Sequence, residues 1–586
     1  MPGRALTLVV LAVCLLLVQC GPRSVEPVDL LVITLDTTRA DRIGAYGYAA
    51  ARTPVIDRLA ANGVRFEHAF APNPTTLPSH TSLFTGLYPP SHGVRANGRY
   101  TLEGTHATLA ESLAAAGYRT AAFIGAFPLD SRFGLDQGFG TYDDAVNPRT
   151  KTEGRGTAER SAAQVTDSAL AWLRGGSTVD DPVFLWVHYF DPHSPYAPPE
   201  PLQGYDGEIT LVDTQIGRLL GAIEKTRGLD RTLIVLTADH GESLGDHGEK
   251  THGVFVYDAT LRVPLVLTHP TLVGRPRVVD DAVVSLIDVV PTVLELLGVE
   301  IPAEVDGRHL LDDRRATDDA VYFDTVEPLM QYGWAPLRGL RTLREKLIEA
   351  PEPEHYALDD DPGELRNRFA SAPPGAERLR EELHREFGPA DLADLAPGTE
   401  TVDPEVIERL ASLGYVGTRS TAAPAARRDP KRMLPLWNRF DDVYPLLRSG
   451  RPDEAVRLLD AIVEGDPDNG RAWFIRGMVL QSTGDLEEAE TSLRNSVRVL
   501  PGADRYSRLA EILYLRERFD QGDAAVEEAR RIEPRSGLPY VAEGVGLTLR
   551  KRYDEALLAF ERARAIDPAN AGTRAQELTA LVEQMR

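Results

Sequence analysis

The sequence predicts an α/β layered domain with a mainly parallel central sheet, followed by an all-α repeat solenoid. Three observations carry this. Apolar runs rich in Val, Ile and Leu recur in the N-terminal part and end on polar residues. Helix-period segments lie between them. Near the C-terminus, prolines and small residues return at intervals of 33–34 residues.

The runs come first. Val28–Leu35 ends in Asp36, and Thr232–Leu236 ends in Thr237-Ala238-Asp239-His240. Pro182–His188 leads to Asp191-Pro192-His193, and Thr120–Ile124 leads to Gly125-Ala126-Phe127. Continuous apolar runs of this length suit strands covered on both faces of a parallel sheet. Pro54–Asn62, Thr108–Ala116 and Ala158–Arg174 carry the helical period between them. In such sheets the ligand crevice lies beyond the carboxyl ends of the strands, which gathers Asp36, Asp239, His240 and His193 at one place. Each of these residue types alone also serves as a turn former or helix cap; four such residues after three of the runs together favour a site.

Thr76 reaches that place by another route. Pro78 suits the first turn of a helix that runs through Ser82 and Phe84 to a stop at Gly86. Thr76 then stands just before a helix N-terminus, where free amides and the helix dipole favour an anion. A hydroxyl is a poor nucleophile at neutral pH without a base or a metal. Asp36, Asp239 and His240 offer two carboxylates and an imidazole, a cage for one divalent cation. Zn or Mn is favoured, with Ca or Mg as alternatives. The expected chemistry is attack by Thr76, with the metal on its oxygen and on one substrate oxygen, giving a phospho- or sulfo-threonine that water or another acceptor removes.

The run Thr76-Leu77-Pro78-Ser79-His80, followed by Thr85-Gly86-Leu87-Tyr88-Pro89 and His92-Gly93-Val94, resembles the nucleophile segment of the sulfatases, a branch of the alkaline phosphatase superfamily. Leu35-Asp36-Thr37-Thr38-Arg39-Ala40-Asp41 resembles the family's first metal motif, and Thr237-Ala238-Asp239-His240-Gly241-Glu242 its second. Tyr257-Asp258, Arg262-Val263-Pro264-Leu265 and Asp360-Asp361-Pro362-Gly363-Glu364 extend the likeness, which covers about Asp29 to Asn367. It implies the superfamily fold and metal-dependent ester hydrolysis.

The departures concern sulfate handling. The family's first position is a Cys or Ser that is oxidised to formylglycine; Thr76 cannot become that aldehyde. The second Asp of the first metal motif is Thr37, the family Arg is His80, and the Lys and His of Gly-Lys-x-His are Ala126 and Pro128. Gly253 stands in register with a later family Lys, beside His252. The resemblance leaves His80, Asn97, His193 and His252 as substrate contacts, Asn97 and His193 by similarity to phosphonate monoester hydrolases. None of the 13 histidines has an Asp four residues before it, so the Asp-x-x-x-His pair of two-metal relatives is missing and one metal is expected. A Thr nucleophile with one Asp/Asp/His metal site also resembles phosphoethanolamine and lipoteichoic-acid transferases.

In the C-terminal part, Pro467, Pro501, Pro534 and Pro568 keep phase with Ala455, Ala489, Gly522 and Ala556. Each unit reads as two amphipathic helices, such as Arg471–Gln481 and Leu486–Val499. The pattern resembles tetratricopeptide repeats, about four of them, and implies a concave surface for a protein partner or for the chain's own catalytic domain. The expected division is 1–20 leader, 28–416 catalytic domain, 417–431 linker and 432–586 repeats.

Composition limits the rest. A net charge of -24 argues against a nucleic-acid partner, which needs a basic face; small anionic esters, including lipid or glycan headgroups, remain open because a metal reverses the local field. Arg4 and the apolar run Ala5–Val18 suit a signal peptide and are short for a bilayer span. The end Leu17-Val18-Gln19-Cys20 resembles a bacterial lipoprotein leader with Cys20 as the lipidated residue, despite Gln19. The protein is thus expected to be exported, either periplasmic or anchored at a bacterial membrane. Cys14 and Cys20 are the only cysteines, so the mature chain forms no disulfide. Phosphoryl ester hydrolysis through Thr76 is the leading expectation. Sulfate ester hydrolysis, phosphoryl transfer and a catalytically degenerate binding protein are the alternatives.

Overall fold

A computed structural model describes residues 27–146, 159–175, 181–312, 315, 319–332, 334–389, 428–534, 536–567 and 571–586. The leader with Cys14 and Cys20, residues 390–416 of the expected catalytic domain, positions 417–427 of the expected linker, and Pro568 lie outside the described residues.

The apolar runs form strands β1 (Asp29–Leu35), β3 (Arg119–Phe123), β5 (Val183–Tyr189) and β6 (Thr232–Ala238). Every residue of β1, β5 and β6 is buried, as expected for strands covered on both faces. With β2 (Val64–Phe70), β4 (Thr141–Asp143), β7 (Arg262–Thr268), β8 (Arg277–Val279) and β9 (Val284–Ser285) they make one sheet of order β4-β3-β5-β1-β6-β7-β2-β8, with β9 also on β2. All neighbours run parallel except β7, which opposes both β6 and β2. The helices Pro54–Asn62, Ala162–Arg174 and Gly204–Thr226 pack together as one group, and Thr76–Thr85, Leu109–Ala115 and Val289–Leu297 as another. Ser161 starts the second of these with a capping box to Gln164.

Register fixes the site. In β1, Leu35 pairs with Tyr189 of β5 and with Ala238 of β6. The next residues, Asp36 and Asp239, therefore leave adjacent strands at the same level, one strand spacing of about 4.8 Å apart.

A second sheet, not foreseen from the sequence, is antiparallel in the order β10 (Val321–Thr325), β11 (Leu337–Arg341), β12 (Glu345–Glu349), β13 (Glu354–Ala357). Helix Pro374–Phe387 covers it through Leu379 and Leu383. One apolar cluster joins both sheets and includes Phe70, Val256, Leu261, Phe323 and Ile348.

The C-terminal part is a run of helical hairpins: Phe440–Arg448 with Pro452–Gly465, Gly470–Thr483 with Leu486–Val499, Ala503–Leu515 with Phe519–Ile532, and Leu538–Leu549 with Tyr553–Ile566, then Gly572–Met585. Ala455, Ala489 and Ala556 are fully buried where paired helices meet. At Gly522 a Cβ would lie 2.3 Å from the Tyr514 ring, so only glycine fits that repeat.

Candidate active site

Asp36, Asp239 and His240 each present one ligand atom, all within 4.8 Å of one another, and all three side chains are fully buried. Among the described residues this is the only such group of three or more. Asp239 uses Oδ1 to accept the Thr37 N–H (3.2 Å) and the His240 N–H (2.8 Å). The His240 ring holds the Gly241 carbonyl through Nδ1 at 2.9 Å. Three atoms are left buried without a partner: Asp36 Oδ1, Asp239 Oδ2 and His240 Nε2. Orphaned polar atoms are costly, and two anionic oxygens converging with one imidazole nitrogen fit a cation. Burial first, then the Glu242 charge, pushes the Asp36 carboxyl up to about 8 despite the opposing pull of His252 and Thr76. Burial, with Asp36 beside it, holds Asp239 well above the usual carboxylate range.

Thr76 is the first residue of its helix and Thr75 takes the N-cap position, so the helix starts one residue earlier than expected. The Thr76 hydroxyl faces Asp36 Oδ2 across 3.5 Å. Of the first-turn amides, Leu77 donates to Asn97 Oδ1 (2.8 Å), Pro78 has none, and Ser79 bonds Thr75 O. That leaves the Thr76 N–H, together with the buried and unpartnered Asn97 amide nitrogen, to meet an anion.

His80 departs from its expected role as a substrate contact. One helical turn below Thr76, it engages Thr76 O through Nδ1 (2.8 Å) and Thr34 Oγ1 through Nε2 (3.1 Å), fully buried. Both nitrogens are committed, so it lies beneath the site. Burial keeps it well below its ordinary value, hence neutral. Thr34 also holds His188 Nδ1 (3.1 Å), and His188 Nε2 lies 3.5 Å from Asp36 Oδ2.

His193 and His252 form the opposite wall, their rings 5.1 Å apart and His252 4.5 Å from His240. Glu242 is a residue the sequence reading passed over. Fully buried, it takes His252 Nδ1 on Oε1 (3.1 Å) and the Tyr196 hydroxyl on Oε2 (2.9 Å). Burial works to lower the His252 pKa, but the Glu242 charge and hydrogen bond outweigh it and raise it to about 9. The signal for Glu242 was its place three residues after Asp239; nothing local marked His188, which lies inside a strand. Thr37 turns its hydroxyl to Pro192 O (2.8 Å) at φ 50°, an uncommon conformation for a β-branched residue. Ala126 and Pro128 are buried.

The sulfatase family model matches residues 29–299. The N-terminal part of the chain is a sulfatase domain. The model for the C-terminal part of N-sulphoglucosamine sulphohydrolase follows over residues 245–390, and a tetratricopeptide-repeat model matches 445–504. An arylsulfatase of Clostridium perfringens is 24% identical, over 58% of this chain and 90% of its own. Among solved structures, the phosphonate monoester hydrolase of Agrobacterium radiobacter superposes with a TM-score of 0.51 at 22% identity, covering 63% of this chain and 95% of that one. A 2-O GAG sulfatase gives 0.53 at 21%, covering 65% and 96%. The chain is therefore an ester hydrolase of the sulfatase/alkaline phosphatase superfamily, fused to tetratricopeptide repeats, with an Asp/Asp/His group able to take a metal.

Proposed function

We propose that the sulfatase domain hydrolyses singly charged phosphoryl esters, phosphodiesters or phosphonate monoesters, with Thr76 as nucleophile. The observation that carries this is the convergence of the Thr76 hydroxyl with three orphaned donor atoms at the start of a helix. Asp36, Asp239 and His240 would hold one divalent ion, Zn or Mn by donor type, which supplies Lewis acidity to the ester and lowers the pKa of a neighbouring hydroxyl. The chain's own groups do the rest. Thr76 Oγ attacks phosphorus from its place beside Asp36 Oδ2, the bond to the leaving oxygen breaks, and that oxygen leaves with a proton. Water then cleaves the phospho-threonine and restores the hydroxyl. Asn97, His193 and His252 contact the substrate, and the single free helix amide faces its oxygens.

Charge supports a monoanion. The strongest charges on Asp36, Asp239 and His240 come from His252, Glu242, one another and neighbouring histidines, with no lysine or arginine among them. Two carboxylates cancel a divalent ion, which leaves little to hold a dianionic phosphate monoester. Sulfate esters are also monoanions, and the likeness to an arylsulfatase keeps sulfate hydrolysis as the second reading. Threonine at position 76 places it second, since the aldehyde route is closed.

The test is a panel of aryl phosphodiester, phosphonate, phosphate monoester and sulfate substrates with added Zn or Mn. Thr76→Ala is expected to lower turnover of the first two at least about 10³-fold, a loss of roughly 4 kcal/mol of transition-state stabilisation, with bound metal unchanged. Cleavage of aryl sulfates alone, or full activity in Thr76→Ala, overturns the proposal. We further propose export with lipid attachment at Cys20 and a protein partner on the repeats; the mass of the mature N-terminus and a pull-down with the isolated partner test these.

A further inference from the structure

The helix Pro430–Trp437 precedes the matched repeats and packs on two cores, on the second of them through Trp437. Met433 and Leu434 are buried in the cluster that contains Val254, Phe255, Val256 and Tyr257, the segment directly after His252 and Gly253. Trp437 packs against that same cluster and also against the first repeat hairpin, with Phe440, Leu459 and Ile462. Apolar cores of this kind act as cooperative units, because atoms lost on one side leave a void on the other.

Polar contacts fix the helix in register. Asp429 caps it through the Lys431 N–H (2.9 Å) and accepts the Glu352 N–H on its other oxygen (2.9 Å). Lys431 Nζ reaches Glu354 Oε1 at 2.9 Å, and Glu354 Oε2 accepts the Tyr257 hydroxyl at 2.8 Å. Asn438 Nδ2 donates to Gly248 O at 2.7 Å, in the turn between Asp239 and His252. Behind it, Glu249 holds the Val254 N–H (2.8 Å), the Phe255 N–H (3.2 Å) and the Ser243 hydroxyl (3.1 Å). On the repeat side, the Arg428 guanidinium donates to Gly465 O (2.6 Å), and the Arg428 carbonyl accepts the Ala335 N–H (2.9 Å).

We infer that Pro430–Trp437 is a positioning element of the active site: it forms the floor under segment 243–257 and so sets where Glu242 and His252 stand. The repeats are then coupled to the site through Trp437, which packs on both cores, and Leu434 and Asn438 are the positioning residues. A flexible tether between the two parts would leave that segment's packing unchanged when the repeats are perturbed.

The experiment uses the full chain. Amide hydrogen exchange over 243–257 is compared in wild type, Leu434→Ala, Asn438→Ala, the conservative Leu434→Met, and Tyr444→Ser on the exposed face of the first repeat helix. Leu434→Ala and Asn438→Ala are expected to speed exchange there at least about tenfold, which is roughly 1.4 kcal/mol of local stability. Leu434→Met recovers protection and Tyr444→Ser leaves it unchanged. With an active ester in hand, the same two variants lower kcat more than they raise KM. That activity arm rests on the ester hydrolase reading; the exchange arm needs no substrate, so the two fail separately. Unchanged exchange in Asn438→Ala, and in Leu434→Ala if it folds, overturns the inference.

Discussion

Asp36→Asn gives a prediction that added metal cancels. In the metal-free protein, burial pushes the Asp36 carboxyl up to about 8 and, with the Asp36 charge beside it, holds Asp239 well above the usual carboxylate range, so at a pH high enough to ionise both they carry like charge side by side. Their ligand atoms lie within 4.8 Å, so at an effective dielectric of about 20 their repulsion is roughly 3 kcal/mol or more. The asparagine removes it and keeps the side-chain volume. Metal-free Asp36→Asn is therefore expected to be more stable than wild type by about 2–3 kcal/mol. Below that pH the wild-type carboxyl takes up a proton. Its folded pKa is raised, so the unfolded chain ionises first and stability falls as pH climbs from the ordinary carboxylate range to about 8. The gain from the substitution shrinks on acidification. Added Zn or Mn at about 100 times Kd stabilises wild type by about 2.7 kcal/mol and leaves Asp36→Asn nearly unmoved. Urea unfolding with EDTA and with metal, at two pH values, measures all four quantities. A metal-free Asp36→Asn less stable than wild type by more than about 1 kcal/mol, with no metal effect on wild type, refutes the cation site.

Glu242→Gln should return the His252 pKa from about 9 toward the ordinary value of about 6.5, followed by NMR titration. Because the folded value is raised, wild type loses the stability that this ion pair supplies as pH rises toward about 9, and Glu242→Gln should not show that loss. Lys346 is fully buried between Asp258 (2.9 Å) and Glu364 (2.6 Å). Lys346→Met leaves carboxylates uncompensated and should cost about 3–5 kcal/mol in urea unfolding, with part recovered in the double variant with Glu364→Gln; a loss under about 1 kcal/mol would count against the buried network.

Much of the site was legible because its residues sit where local sequence speaks. Asp36 and Asp239-His240 end apolar runs, and strand ends are written in the run itself. The helix that carries Thr76 is bracketed to within two residues by Pro78 and Gly86. His80 was misread because a family register says which residue stands at a position, while the helical turn decides where it points: four residues past Thr76, its ring falls back onto the Thr76 carbonyl and into the core. Glu242 and His188 act through partners on other strands and loops, pairings that no local pattern records.

By itself, then, the sequence determined the parallel sheet, the repeat phase and the metal-type donor set. These depend on periodicity and on residue chemistry, which survive without coordinates. Tertiary structure decided that Leu35 aligns with Ala238, so the two carboxylates meet; that β7 runs against its neighbours; that a second, antiparallel sheet exists; and that Trp437 packs against two cores at once. Each of these is a choice of partner across long sequence separation, made by complementary packing and by hydrogen bonds that form only when the whole chain has closed on itself.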